Sequence, residues 1–135
     1  MRGSTLAAFL AVGFLPTAVL AKEQATFIEG TFATEAGCAK LEALGKGTPR
    51  NVETVPDVLT KDGFQGWEGS CEFTRIDIHE PGKVWIGLMY CVEGATMAPQ
   101  TYAFIKGDDG SLEVAATGED EPQVYRRCDA DKGKK

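Results

Sequence analysis

The chain has 135 residues, 14 of them basic and 20 acidic, which gives a formal net charge of −6 at pH 7. This length accommodates one domain with a modest core. The acidic balance disfavours binding to nucleic acids and to anionic lipid surfaces, so no nucleic-acid partner is expected. If charge selects a partner, that partner is a basic secreted protein, although acidity also serves solubility alone.

Residues 1–21 have the pattern of a signal peptide. Arg2 provides a short basic start, an apolar run covers residues 6–15, and Ala21 is the small residue that signal peptidase needs. The run is short for a membrane span, so we expect no stable membrane anchor after the signal is removed. Residues 22–135 are then a single periplasmic or secreted domain of net charge −7, with 13 basic and 20 acidic residues.

The first part of this domain predicts a strand, a helix and a second strand. An apolar run weakened by one glycine indicates a strand over residues 25–32. A helix is predicted over residues 34–44, with Thr34 as its N-cap and Gly45 at its end. Residues 51–60 are rich in valine and threonine, which favours a strand that pairs with the front of the following hairpin, although Pro56-Asp57 could open a helical turn instead.

Residues 67–93 predict a long β-hairpin that the rest of the chain covers. The first arm alternates apolar and polar residues, as a strand with one solvent-exposed face does. The second arm is apolar on both faces, which predicts a strand covered on both sides. A Pro-Gly pair supplies the turn, and a loop over residues 80–82 would place His79 opposite Lys83.

Beyond the hairpin, the pattern predicts a loop over residues 94–99 and then three short strands, over residues 101–105, 111–116 and 123–128. A polar, basic end over residues 130–135 is expected to be a frayed tail. The chain therefore predicts a mainly β fold, a small antiparallel β-barrel or sandwich of six to seven strands with one short N-terminal helix. We expect this helix to plug one end of the sheet or to cover one face.

The four cysteines, Cys38, Cys71, Cys91 and Cys128, all follow the signal segment. An even count in a small exported chain predicts two disulfides. The hairpin register sets Cys71 opposite Cys91 and leaves Cys38 to pair with Cys128. Directly opposed cysteines bridge only at some sites, so the pairs Cys38–Cys71 and Cys91–Cys128 stay open as an alternative.

No catalytic or metal-binding motif stands out. The single histidine, His79, adjoins the Pro-Gly turn, where histidines are usually solvated, so we predict no catalytic residue and no enzyme activity. Zinc sites bring ligands two to four residues apart, whereas the closest cysteines, Cys71 and Cys91, are 20 apart. We therefore expect neither a metal nor a cofactor.

Three aromatic residues of the hairpin, Trp67, Trp85 and Tyr90, are candidates for binding a partner, because aromatic side chains supply much of the energy of protein interfaces. A core role is the alternative, and the apolar neighbours Val84 and Ile86 favour it for Trp85. Trp85 and Tyr90 differ in parity, so a regular strand points them to opposite faces.

Several stretches resemble a loose group of short exported bacterial proteins that have four cysteines and a small β-rich body. They are Gly37-Cys38, Trp67-Glu68-x-x-Cys71-x-Phe73, Trp85 with Cys91, and Tyr125-x-Arg127-Cys128. The overall make-up is also similar to that of periplasmic lysozyme inhibitors, small disulfide-bonded β-barrels whose functional loop carries a Ser-Gly-x-x-Tyr signature. That signature is absent from this chain.

These features favour a non-catalytic exported protein with a binding or protective role. Its sharpest form is an inhibitor of a secreted hydrolase, since an acidic protein would be steered to a basic enzyme such as lysozyme. The alternative is a small-molecule or lipid carrier that uses the interior of a β-barrel. A pocket large enough for a ligand would favour the carrier, and a protruding acidic or aromatic loop over a filled interior would favour the inhibitor.

Overall fold

The computed structural model describes residues 25–46 and 56–128. These residues form eight strands and one helix: β1 (Phe32–Ala33), α1 (Glu35–Gly45), β2 (Val58–Thr60), β3 (Gly63–Gln65), β4 (Gly69–Glu80), β5 (Val84–Glu93), β6 (Thr96–Lys106), β7 (Leu112–Ala116) and β8 (Gln123–Arg127). The strands pair antiparallel in chain order, and β8 pairs back with β1, so the sheet closes into a barrel. The predicted signal segment and the predicted tail lie outside the described residues.

The mainly β class and the single helix are confirmed, and of the two predicted architectures the chain adopts the barrel. The predicted count of six to seven strands is too low by at least one within the described residues, because the sequence pattern predicts no strand at β3. This strand is only three residues long and begins with glycine, so it carries no alternating pattern. It lies between β2 and β4, and it, rather than β2, pairs with the front of the hairpin.

Antiparallel closure sorts the connections between strands onto the two ends of the barrel. The turns at residues 66–68, 94–95 and 117–122 fall at one end, together with the start of β2; we call this the mouth end. The turns at residues 61–62, 81–83 and 107–111 fall at the opposite end, which we call the closed end.

The N-terminal segment closes this second end. Ala25 donates its backbone N–H to the carbonyl of Lys61 at 2.8 Å, which ties the segment to the β2–β3 turn. Ala25 and Ile28 are buried in the core, and Phe27 stacks on Trp85. The prediction of a strand over residues 25–32 is thus wrong for most of its length, since Gly30 adopts a φ of 88° and only Phe32 onward is extended in the sheet.

The helix α1 is confirmed within a residue of its predicted bounds. The Thr34 hydroxyl accepts a hydrogen bond from the Gly37 N–H at 3.1 Å, as an N-cap does, and Lys46 rather than Gly45 is the C-cap. The helix packs beside β1 and β8, and the Cys38–Cys128 disulfide ties it to the end of β8. The end plug is therefore the segment that precedes the helix. No helix among the described residues is long and apolar enough to cross a membrane.

The main hairpin has the cysteine register that the sequence predicts, but its turn and the pairing next to the turn differ from the prediction. Cys71 lies opposite Cys91 and is bonded to it, with Cα atoms 4.0 Å apart. The turn, however, is one residue later than predicted, because Glu80 pairs with Val84. Two register shifts in β4 restore the predicted register before the cysteines are reached.

Two other predictions for this region are wrong. The second arm, β5, is covered on one face only: Met89 is fully buried inside the barrel, whereas Leu88 and Tyr90 on the outer face are about 40% exposed. The predicted loop over residues 94–99 belongs mostly to β6, where Pro99 pairs with Tyr90. Proline fits there because this part of β6 extends beyond β7 and needs no N–H for a second neighbour.

Candidate functional site

A cleft of about 690 Å³ opens at the mouth end of the barrel. Most of its walls come from strands β3 to β8, and residues just before β2 complete one side. We call this cleft the cup. It exists because the bulky core residues and the N-terminal segment fill the rest of the barrel, whereas no described segment crosses the mouth end in the same way.

An aromatic floor of Phe64, Tyr102 and Tyr125 lies inside the cup. The ring of Phe64 contacts Tyr102 and Tyr125, with centroids 5.1 and 5.7 Å apart. Beneath them the fully buried Phe104 lies 6.4 Å from Phe64 and 6.2 Å from Tyr102. The floor is therefore continuous with the core, which holds its rings in place.

Four carboxylates line the cup above this floor, among the described residues; we call Asp57, Glu68, Glu93 and Glu119 the rim carboxylates. Asp57 precedes β2, Glu93 ends β5, and the other two lie in the β3–β4 and β7–β8 turns. The described turns at this end contain no lysine or arginine, although those at the closed end include Lys61 and Lys83. Among the charged residues of the described turns at the mouth end, all are therefore acidic.

Two of the rim carboxylates, Asp57 and Glu119, act on the tyrosines of the floor. The pKa of Tyr102 is raised, first by burial and then by the negative charges of Glu119 and Asp57. Burial, reinforced by Asp57, Tyr102 and Glu119, raises the pKa of Tyr125 to about 12. Both shifts have the same cause, since a second negative charge is disfavoured in a partly desolvated cavity that already holds carboxylates.

The two tyrosine hydroxyls differ in their partners. Tyr102 donates to the Gln100 side-chain oxygen at 2.8 Å. Tyr125 is only 7% exposed, and its hydroxyl, which stays open to the cup, makes no hydrogen bond to any described residue. Because its ring lines the cup, this hydroxyl is an unused polar group at the bottom of an acidic cavity.

A smaller cleft of about 280 Å³ adjoins the cup and shares Asp57 and Tyr125 with it. The helix forms its other side, through Thr34, Gly37 and Lys40. Lys40 therefore brings one positive charge close to a site whose own lining, within the described chain, carries four negative ones.

The Cys71–Cys91 disulfide stiffens one wall of the cup. Cys71 lines the cleft, and the Tyr102 hydroxyl lies 3.8 Å from its sulfur and 4.0 Å from that of Cys91. The bond joins β4 and β5 close to the mouth end, where the ladder between them begins. The wall that carries Glu93 is therefore held both by the sheet and by a covalent link.

The three aromatic residues predicted to bind a partner do not form one site. Trp67 lies at the rim of the cup and is 63% exposed. Trp85 is in the core, and Tyr90 lies on the outer face of the barrel near Leu88 and Met97. The opposite orientation of Trp85 and Tyr90 agrees with their difference in parity.

The residues that sequence reasoning missed are the aromatic floor and the rim carboxylates. One signal for them was available: in a meandering barrel every second turn falls at the same end, and it is these turns that carry Glu68 and Glu119. His79, in contrast, is exposed at the other end of β4. In the described ranges no group of three or more His, Cys, Asp or Glu side chains is placed to hold a metal ion.

The resemblance to exported four-cysteine proteins and to lysozyme inhibitors stays a prediction. Searches of protein-family models, of curated proteins and of solved structures find no match to this chain. Function is therefore inferred from the geometry and charge of the cup and from the two disulfides of the domain.

Proposed function

We propose that this chain is a non-catalytic binding protein of the periplasm or the extracellular space, and that the cup is its binding site. The two disulfides, Cys38–Cys128 and Cys71–Cys91, support the location, because such bonds persist in oxidising compartments. The signal-peptide pattern of residues 1–21 supports it independently. The absence of catalysis is proposed because the only histidine of the sequence, His79, lies at the closed end, away from the cup.

The observation that carries the proposal is the open cup itself. Ligand pockets usually measure about 300–1,000 Å³ and combine apolar walls with a few convergent polar groups. The cup has this size, with aromatic rings at its floor and carboxylates above them, and more of its exposed lining is polar than apolar. A barrel that served only as a rigid scaffold would gain stability by filling this space.

The volume of the cup favours the carrier form of this function, in which a small molecule enters the barrel. A lipid chain is a poorer fit than a compact ligand, since the core residues Phe73, Phe104 and Met89 fill the interior below the floor. The ligand would therefore lie in the mouth half of the barrel and be capped from one side by Trp67.

A second candidate is the inhibitor form, in which a basic secreted hydrolase inserts a side chain into the cup. The exposure of Trp67 next to Glu68, in the turn at the rim, favours this form. Exposed tryptophans are frequent anchors of protein interfaces, and an adjacent carboxylate would select a basic surface.

The site can be tested by NMR on the mature protein, which has two indole N–H signals, from Trp67 and Trp85. Titration with Nile red, a neutral apolar dye, should shift the Trp67 signal and leave that of Trp85 in place. Trp67→Phe assigns the signals, and Tyr90→Ala on the outer face is the matched control that should bind normally. The proposal fails if neither the dye nor a basic lysozyme perturbs Trp67.

The inhibitor form has its own readout. The mature protein should slow hydrolysis of bacterial cell walls by a basic lysozyme, and Trp67→Ala should abolish the effect while Tyr90→Ala retains it. Binding of the dye without any effect on the lysozyme would leave the carrier form alone.

A further inference from the structure

We propose that the cup selects an organic cation, namely an ammonium or guanidinium group carried on an apolar stem. This inference rests on the proposed function, because it names the chemical class of ligand that the same cup takes. The cation would lie among the rim carboxylates, and the stem would lie against the aromatic floor.

The first support for an organic cation is the charge of the cup lining. Four rim carboxylates project from separate elements around one opening, and the described turns at this end supply no lysine or arginine to neutralise them. In the part of the chain that the structure describes, Lys40 borders the site from the adjoining cleft. A ligand with one or two positive charges therefore supplies the opposite charge that the described turns of this end lack.

The second support is the aromatic floor. Phe64, Tyr102 and Tyr125 present ring surface to the cup, which suits an alkyl or aryl stem better than it suits a hydrated metal ion. Ring faces also attract ammonium and guanidinium groups directly, and this attraction grows when the site is partly dry. Burial first, and then the charges of Asp57 and Glu119, raise the pKa values of both tyrosines, so these two carboxylates lie close enough to act on the floor.

The third support is the Tyr125 hydroxyl. Tyr125 as a whole is only 7% exposed, but its hydroxyl oxygen stays open to the cup, has no hydrogen-bond partner among the described residues, and shares the cup with Asp57. A hydroxyl oxygen in this position can accept a hydrogen bond from an N–H of the ligand. An anionic ligand would instead meet four carboxylates, and a purely apolar one would leave the hydroxyl unused.

A series of three probes with one stem tests the charge preference: phenylbutylamine, phenylbutanol and phenylbutyrate. Calorimetry and the Trp67 indole signal should show that the amine binds at least about tenfold more tightly than the alcohol. Phenylbutyrate should bind more weakly than both. Added salt should weaken the binding of the amine and leave the binding of the alcohol nearly unchanged, because only the binding of the amine depends on charge.

Variants locate the charge that matters. Asp57→Asn and Glu119→Gln should each lower the affinity for the amine several-fold and leave that for the alcohol unchanged. Glu113→Gln is the matched control, since it removes the same charge from the exposed outer face of β7. Tyr125→Phe should weaken the binding of the amine but not that of the alcohol, and it should not destabilise the protein.

Two sources of the cation are distinguished by adding a basic lysozyme. If lysozyme competes with phenylbutylamine and shares its sensitivity to Glu119→Gln, the cation is a side chain of a protein. If it does not compete, the cation belongs to a free amine or guanidine.

Several results would overturn the inference. Equal binding of the amine and the alcohol would do so while leaving a neutral carrier function intact. Binding of Nile red with none of the three probes would do the same. An equal effect of Glu113→Gln would show that only the net charge of the protein matters. Occupation by calcium ions with the same variant sensitivity, and no binding of the amine, would make the cup a metal site.

Discussion

The indole of Trp85 stacks face to face on the ring of Phe27, with centroids 4.2 Å apart and planes inclined by 5°. Phe27 belongs to the N-terminal segment, and Trp85 is the second residue of β5, next to the turn of the main hairpin. The stack therefore joins the segment that closes one end of the barrel to its longest pair of strands. The contact continues into the core, because the centroid of the Phe27 ring also lies 5.6 Å from that of Phe104.

Replacing Trp85 by alanine should destabilise the protein by about 3–5 kcal/mol, the usual cost of removing a large aromatic side chain from a core. Trp85 is only 7% exposed, so little of the cavity could be filled by solvent. In a thermal melt the midpoint should fall by more than about 10 °C. Trp67→Ala, at a site 63% exposed, should shift it far less. Similar melts for the two variants would contradict the core role of Trp85.

The two disulfides should contribute unequally to stability. In the chain-entropy account, a bond stabilises more when it closes a longer loop. Removing Cys71–Cys91, with a separation of 20 residues, should cost about 3 kcal/mol, and removing Cys38–Cys128, with a separation of 90, about 4.5 kcal/mol. Urea unfolding of the two double-alanine variants gives the comparison. A larger loss from the Cys71–Cys91 pair would show that it acts mainly by holding the native wall of the cup.

The cysteine pairing could be predicted from the sequence because two errors cancelled. The predicted turn placed His79 opposite Lys83, whereas the ladder starts with Glu80 opposite Val84. The shifts between Phe73 and Arg75 and between Ile78 and Glu80 each move the register by one residue. Bulges depend on twist and closure of the whole barrel, which no local pattern reports, so the sequence predicts the pairing but not the path to it.

The sequence also could not predict which face of β5 is covered. Apolar residues on both faces of a strand indicate two covered faces only if a second layer exists. In this barrel the inside takes Met89, and the outside leaves Leu88 and Tyr90 exposed among the described residues. The choice between barrel and sandwich was open from sequence, and that choice decides which face is covered.

The cup was beyond sequence reasoning because its residues come together only when the barrel closes. Asp57 and Glu119 are far apart in the chain and act on the same tyrosine. Strand patterns were sufficient to find β7 and β8, whose inward positions include Val114 and Tyr125. They could not show that the interior is filled at one end and open at the other, since this depends on the path of the N-terminal segment.

Gly87 provides a test of packing inside the barrel. A Cβ atom at this position would lie 2.8 Å from Phe73 Cε1 and 2.9 Å from Phe104 Cε2, which is closer than side chains tolerate. Gly87→Ala should therefore destabilise by about 1–3 kcal/mol through overpacking. Gly45→Ala is the control, because it meets nothing within 4 Å and lies in the helix, where alanine is favoured by up to about 1 kcal/mol. Equal stability of the two variants in urea would mean that the two rings move apart freely.

Stability at high pH should report the environment of Tyr125. The unfolded chain releases the tyrosine proton near the ordinary pKa of 10.0, whereas the folded protein holds it up to about 12. Between these values the folded state binds more protons than the unfolded one, so the free energy of unfolding falls as the pH rises. The contribution of Tyr125 is fully present below pH 10 and is lost by about pH 12, a change of about 2–3 kcal/mol.

Tyr125→Phe isolates this contribution, because it removes the titrating group and breaks no hydrogen bond to a described residue. Below pH 10 the variant and the wild type should have similar urea midpoints. Above it the wild type should lose stability faster, while Tyr102, whose pKa is also raised, titrates in both proteins. Asp57→Asn should reduce the difference between wild type and variant, since the Asp57 carboxylate helps to raise the pKa of Tyr125. Parallel curves for the wild type and Tyr125→Phe across this range would show that Tyr125 titrates as it does in water, and that the carboxylate charge does not extend to the floor of the cup.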